Sequence, residues 1–293
     1  MNKLTKRILS VFLAVAMIVT ILPQVATTQA ATKTEKMTLY KGEAVNVYPL
    51  GTLKSVSSNK KAVASVKKDG SKAVITAKKV GKATISLKTN RGTLKYAVTV
   101  KKLGITATLS DMGNGYLLLK VKNNTKQTFT YVDIDYTIKN DQGETVKTDT
   151  KSVSGVVAGK TVYDYVYYDS YNYTVDETLC SAKAVADTRS LEAKYKNVTS
   201  SVKTSIDEDT SEEDTIKLTF KSKNTQKKDT AYVEHYVLIY NSMDQVIGLK
   251  TVSFILKAGK LDTGNTKIDT SRYSYYKDYA YYKVVTVAYS YSY

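Results

Sequence analysis

The chain has 293 residues, 42% hydrophobic and 24% charged, with a single His, a single Cys and no Trp. One His and one Cys leave no material for a Cys/His metal site, an internal disulfide or most nucleophile–base pairs. Of the formal charge of +17, +13 falls in one region: residues 37–102 carry fifteen Lys/Arg against Glu43 and Asp69, whereas residues 103–293 carry twenty-four of each sign.

From the N-terminus, Lys3, Lys6 and Arg7 precede an apolar run from Ile8 to Leu22. Pro23 ends the run, and Thr28-Gln29-Ala30 offers small residues for cleavage. That order reads as a secretory signal peptide over residues 1–30. The run is shorter than the roughly 20 residues that span a bilayer, and no later stretch is long and apolar enough to do so. No Cys follows it for lipid attachment. A secreted, extracellular chain is therefore expected, either free or associated with the cell wall. The remaining length suits two or three modules. Tyr outnumbers Phe by 25 to 4, and Val, Ile and Thr are abundant, which favours strands.

Residues 37–102 alternate apolar and polar positions in short runs, as in Ala62–Val66, Ala73–Ala77, Ala83–Leu87 and Tyr96–Val100. Asp69-Gly70, Gly81 and Asn90-Arg91-Gly92 punctuate them with turn chemistry. The pattern predicts a small β-sandwich. Three segments carry a resemblance: Leu39-x-Lys41-Gly42-Glu43, Ser57-Ser58-Asn59 with Ala62-Val63-Ala64-Ser65-Val66, and Val80-Gly81-Lys82-Ala83-Thr84-Ile85. Together they are similar to the bacterial immunoglobulin-like group 2 domain. Ser55 and Val56 stand where that family usually has a Trp, so packing differs there. The resemblance implies a surface module for adhesion or spacing, and no chemistry.

Residues 104–187 and 201–293 read as two copies of one unit, about 100 residues apart. Lys120-Val121-Lys122-Asn123 recurs as Lys221-Ser222-Lys223-Asn224, Tyr136–Asn140 as Val237–Asn241, and Ala158-Gly159-Lys160 as Ala258-Gly259-Lys260. Residues 188–201 are the expected joint. The two pentads and the Ala-Gly-Lys turns resemble FxLYD domains, extracellular bacterial β-sandwiches. The expected fold class is all-β, as tandem Ig-like β-sandwich modules.

Candidate chemistry is sparse. His235 aligns with Ile134 and so reads as a structural core residue, and Cys180 reads as a small packing residue. Ser57-x-x-Lys60 matches a serine acyltransferase pattern, but its partner motifs are missing and the segment belongs to the Ig-like pattern. Carboxylates at Asp207-Glu208-Asp209 and Glu212-Glu213-Asp214 lack the spacing and Gly of a calcium loop and read as a solvated hairpin. Asp133 and Asp135 mark the wet face of an amphipathic strand. No catalytic residue, metal ligand or cofactor site emerges, and the chain reads as a non-enzyme.

Two binding readings stay open. Lys60, Lys61, Lys67, Lys68, Lys72, Lys78, Lys79 and Lys82 fall at turns and strand ends, a field that attracts an anionic cell-wall polymer or anionic glycan. No aromatic residues interleave with them as a nucleic-acid groove requires. The alternating Tyr163, Tyr165 and Tyr167, with Tyr281, Tyr289 and Tyr291 near the C-terminus, make an aromatic face for a glycan or another surface protein, or else line strands in place of Phe. An aromatic last strand with an open edge would suit a subunit of a surface assembly.

Overall fold

The computed structural model describes residues 33–185, 195–272 and 274–291. The expected signal peptide, part of the joint, Tyr273 and Tyr293 lie outside the described residues.

The first sandwich is built from β1 (Lys33–Tyr40), β2 (Ala44–Val47), β3 (Leu53–Ser58), β4 (Ala64–Asp69), β5 (Lys72–Ala77), β6 (Gly81–Thr89) and β7 (Gly92–Lys101). One sheet runs β1-β7-β6-β3, with β1 parallel to β7, and the other runs β2-β5-β4. Strict alternation sends Ala73, Ile75 and Ala77 of β5 inward to meet Ala83, Ile85 and Leu87 of β6 and Val98 and Val100 of β7. In the β1–β2 turn, Glu43 is only 4% exposed and accepts the Tyr40 N–H at 2.7 Å. Burial pushes its carboxyl pKa up.

Two further units follow, here repeat 1 and repeat 2. Repeat 1 contains β8 (Ile105–Gly113), β9 (Tyr116–Asn123), β10 (Phe129–Lys139), β11 (Thr145–Val156), β12 (Thr161–Tyr167) and β13 (Ser181–Val185). Its sheets run β12-β9-β8 and β11-β10-β13. After β14 (Tyr195–Asn197) and a 3-10 turn at Thr199–Ser201, repeat 2 contains β15 (Val202–Asp209), β16 (Thr215–Asn224), β17 (Ala231–Asn241), β18 (Val246–Leu256), β19 (Leu261–Asp269) and β20 (Tyr279–Tyr291). Its sheets run β15-β16-β19 and β14-β20-β17-β18. The long hairpins of the two repeats shift register at matching points, between Ile138 and Lys139 and between Ile239 and Tyr240.

The repeats stack sheet on sheet. The outer face of β12-β9-β8 lies against the outer face of β20-β17-β18, and Met112, Leu118 and Leu238 are buried between them. Tyr163 meets Tyr236 across this seam with ring centroids 5.5 Å apart. Gly155 has φ +59°, and a Cβ there would lie 2.6 Å from Tyr289, so the glycine lets that ring seat against repeat 1. At the other junction, Tyr40 donates its hydroxyl to Gln127 at 3.1 Å and packs edge-on against Phe129. An all-β chain of tandem sandwiches is what the alternation predicts, and it is what the chain forms; the stacking of the repeats is a further feature of the structure.

Candidate functional site

The eight lysines of the basic region separate into two groups. Backbone bonds from the Lys78 and Lys79 N–H groups to the Val63 carbonyl hold the β5–β6 turn against the 60–63 loop. Lys60, Lys61, Lys78, Lys79 and Lys82 therefore share the end of the sandwich that faces repeat 1. Lys67, Lys68 and Lys72 sit toward the opposite end, around the β4–β5 hairpin. There Lys67 pairs in register with Val74 and Lys68 with Ala73, so the two point to opposite sides of their strand. Lys72 is half-buried and bridged to Asp69 at 3.1 Å, which takes it out of a freely solvated field.

A second set of cations emerges only from register. Across β1, β7, β6 and β3, the outward rows read Thr34-Lys95-Ser86-Ser57, Lys36-Ala97-Thr84, Thr38-Thr99-Lys82 and Thr93-Lys88-Ser55. These rows are made of Lys, Thr, Ser and Ala. Glu35 shares the inward side with Tyr96, Glu43 is buried in its turn, and Asp69 belongs to the other sheet. At the edge of this face lies an open concavity of about 280 Å3, lined by Asn59, Lys60, Lys82, Thr84 and Thr99 among others. Asn59 is fixed there by mutual bonds with Thr84: its N–H donates to the Thr84 carbonyl at 3.1 Å, and its Oδ1 accepts the Thr84 N–H at 2.7 Å. Ammonium groups, hydroxyls and an amide on a flat sheet can neutralise and hydrogen-bond a run of phosphate or carboxylate groups. Lys36, Lys88 and Lys95 belong to this surface although no turn or cluster marks them in the sequence.

The tyrosines do not form one face. Tyr163 and Tyr289 are half-buried in the seam between repeats, and burial raises both phenol pKa values. Tyr165 and Tyr167 remain exposed and pack edge-on against Tyr116, with centroids 5.4 and 5.6 Å away. Tyr281 stacks flat on Tyr240 at 4.8 Å, with the Lys283 ammonium within about 5 Å of both rings. Tyr291 joins Tyr195, Tyr232 and Tyr289 in a further cluster. Beyond β20, β14 pairs Tyr195 with Tyr291 and Asn197 with Tyr289, so that end of the last strand is not an open edge.

The remaining candidates serve structure. His235 is 0% exposed, stacked on Phe220, and bonded through Nε2 to Ser222 and through Nδ1 to Thr286, each at 2.8 Å. Burial lowers its pKa to about 4. Ser222, His235 and Thr286 thus form a polar chain inside the core, not a presented nucleophile and base. Burial also pushes the Cys180 thiol up, which disfavours the reactive thiolate. In the acidic loop, Asp207 bonds Lys221, Glu212 bonds Lys267 and Asp209 accepts the Ser211 N–H. Among the described residues no group of three or more His, Cys, Asp or Glu is placed to hold a metal, and no helix is long and apolar enough to cross a membrane.

No family model and no curated protein matches the chain. Solved structures overlap it loosely. The FN1–FN3 domains of chicken CNTN1 share 9% identity over 78% of this chain and 84% of that one, at a TM-score of 0.15. The C-terminal globular domain of an oligosaccharyltransferase from Pyrococcus abyssi shares 9% over 78% and 51%, at 0.13. A carbohydrate-binding module of the β-sandwich superfamily shares 7% over 64% and 90%, at 0.12. Likeness this slight says nothing of ligand or role. The fold rests on the strand order itself.

Proposed function

We propose that this chain is a non-catalytic secreted protein that associates with the bacterial cell envelope, its first sandwich holding an anionic wall polymer. The tandem repeat then acts as a spacer or as a contact region for other surface molecules. The observation that carries this reading is the β1-β7-β6-β3 face, where Lys36, Lys82, Lys88 and Lys95 stand among hydroxyls with every carboxylate of the module directed elsewhere. On such a face an anionic chain meets several ammonium groups at once and no repulsion. Binding of this kind weakens steeply with salt, because each neutralised contact releases counterions.

The test uses the protein without residues 1–30, mixed with purified cell walls that carry or lack teichoic acid, across a salt series. Binding is expected only to the anionic walls and to disappear at high salt. Replacing Lys36, Lys82, Lys88 and Lys95 together by Gln is expected to weaken it at least about tenfold, roughly 1.4 kcal/mol. Binding that survives removal of teichoic acid, or that ignores the four substitutions, overturns the assignment.

A further inference from the structure

The seam between the repeats does not close along its whole length. Past Met112 and Leu118 it opens into a cleft of about 280 Å3. Repeat 1 supplies Asn114, Tyr116 and Tyr165, and repeat 2 supplies Lys250, Tyr275 and Tyr276. We propose that this cleft is a carbohydrate-binding site, in which a sugar ring lies against the tyrosine rings while Asn114 and Lys250 take its hydroxyls.

The cleft is built by specific backbone choices. Gly113, Asn114 and Gly115 all have left-handed φ values, 76°, 55° and 82°, which makes the tight β8–β9 turn that carries Asn114 at the rim. On the facing wall, a Cβ at Gly248 would lie 2.3 Å from the Tyr276 ring. The glycine therefore lets Tyr276 lie directly on β18, where the Lys250 ammonium sits 5.4 Å from its centroid. Around this seated ring, Tyr116, Tyr165 and Tyr275 are left 40%, 46% and 73% exposed. Large rings elsewhere in the seam, such as Tyr163, are covered by the opposite repeat. These are not, and they surround a hollow.

The lining selects the ligand class. It contains no carboxylate, and its one cation already faces a ring, so a charged polymer gains little there. Tyrosine rings offer apolar faces with hydroxyls at their edges, matched to a sugar with a C–H face and an equatorial ring of hydroxyls. The volume lies at the small end of small-molecule sites, too tight for a folded partner. Neither repeat alone forms the site, since each contributes one wall.

The experiment titrates the intact protein with cellotetraose, chitotetraose and mannotriose by calorimetry. At least one is expected to bind, with an affinity unaffected by high salt. Tyr116→Ala and Tyr275→Ala are each expected to weaken it at least about tenfold, while Tyr281→Ala leaves it unchanged. Both target rings are well exposed, so unchanged thermal midpoints will show that the variants fold. Gly248→Ala, which displaces Tyr276, gives an independent loss. The Lys-to-Gln variant of the first sandwich is expected to bind sugar normally, so this site and wall attachment stand or fall separately. The proposal is overturned if none of the three sugars binds, if Tyr116→Ala and Tyr275→Ala bind as wild type, or if salt abolishes the binding.

Discussion

In repeat 1 the Asn123 side chain donates to the carbonyls of Gln127 and Val156; in repeat 2 Asn224 donates to those of Asp229 and Leu256. Asn140 and Asn241 close the long hairpins alike, each accepting the N–H four residues on, from Glu144 and Gln245. Gly159 and Gly259 turn with the same φ of 71°. Around these shared anchors the interiors differ as matched sets. Ala107, Val121, Ile134 and Ala184 of repeat 1 correspond in register to Thr204, Ser222, His235 and Thr286 of repeat 2, four apolar residues against a chain in which each bonds the next. Phe220 and Phe254 fill repeat 2 where repeat 1 has Leu119 and Val153. Gly264 stands where repeat 1 has Asp164, and a Cβ there would come within 3.1 Å of Phe254 and Val252. Backbone-directed hydrogen bonds recur in both units, while the core residues differ together.

If the anchors define the unit, they should fail equally in both copies. Asn123→Ala and Asn224→Ala each take the amide donor from one buried and one partly buried carbonyl, at a cost on the order of 3 kcal/mol. Urea unfolding followed by hydrogen exchange in each repeat will measure this, and a loss confined to one copy would break the equivalence. The next effect separates the copies through pH. The His235 pKa is lowered to about 4 by burial, and no titratable side chain bonds or stacks against its ring. Unfolded, it titrates near about 6.5. The unfolded state therefore takes up a proton first as pH falls, so stability is lost between about 6.5 and 4, to a total of roughly 3 kcal/mol. Glu234, raised mainly by its burial, acts in the opposite sense. Comparison with a variant lacking the imidazole isolates the His term. A pH profile unchanged in that variant would refute it.

Much of this was legible in the chain. Period-two alternation and Gly/Asn turns announce the strands, and the recurrence of Asn123, Asn140 and Gly159 at Asn224, Asn241 and Gly259 announces two like units. His235 opposite Ile134 already reads as a core position. The surfaces were harder. Tyr163, Tyr165 and Tyr167 alternate identically, yet Tyr163 is covered by repeat 2 and Tyr165 lines an open cleft. Alternation reports which side of a strand leaves the core, not which neighbour covers it. Lys36, Lys88 and Lys95 come together only through pairing across three strands, and Gly248 meets Tyr276 by tertiary contact alone.

The interior exchange makes a third, smaller prediction. His235→Ile installs the repeat 1 residue but removes the ring partner of the half-buried Thr286 hydroxyl and of the buried Ser222 hydroxyl, which keeps only Thr204, at about 2 kcal/mol. Adding Ser222→Val, Thr286→Ala and Thr204→Ala, the last matching Ala107 in register, completes the repeat 1 set and should recover most of that loss. A quadruple variant no better than the single one would mean that backbone differences, not the set, decide what each core accepts.

The smallest effect lies where repeat 1 alone carries an ion pair. Lys151 bridges Asp164 at 3.1 Å, with side chains 36% and 26% exposed, and its ammonium also lies 5.4 Å from the Tyr165 centroid. In repeat 2 the matching residues are Val252 and Gly264, so the unit folds without such a pair. Partly solvated bridges of this kind contribute little and are screened by salt. A double-mutant cycle with Lys151→Met and Asp164→Asn should give a coupling of about 0.5–1 kcal/mol at low ionic strength, fading as salt rises. Lys151→Met alone should cost more than the double change, because it leaves Asp164 beside the half-buried Glu234 across the seam. A coupling of several kcal/mol that ignores salt would place the pair among the anchors, and the two repeats would then differ in what holds them together as well as in what fills them.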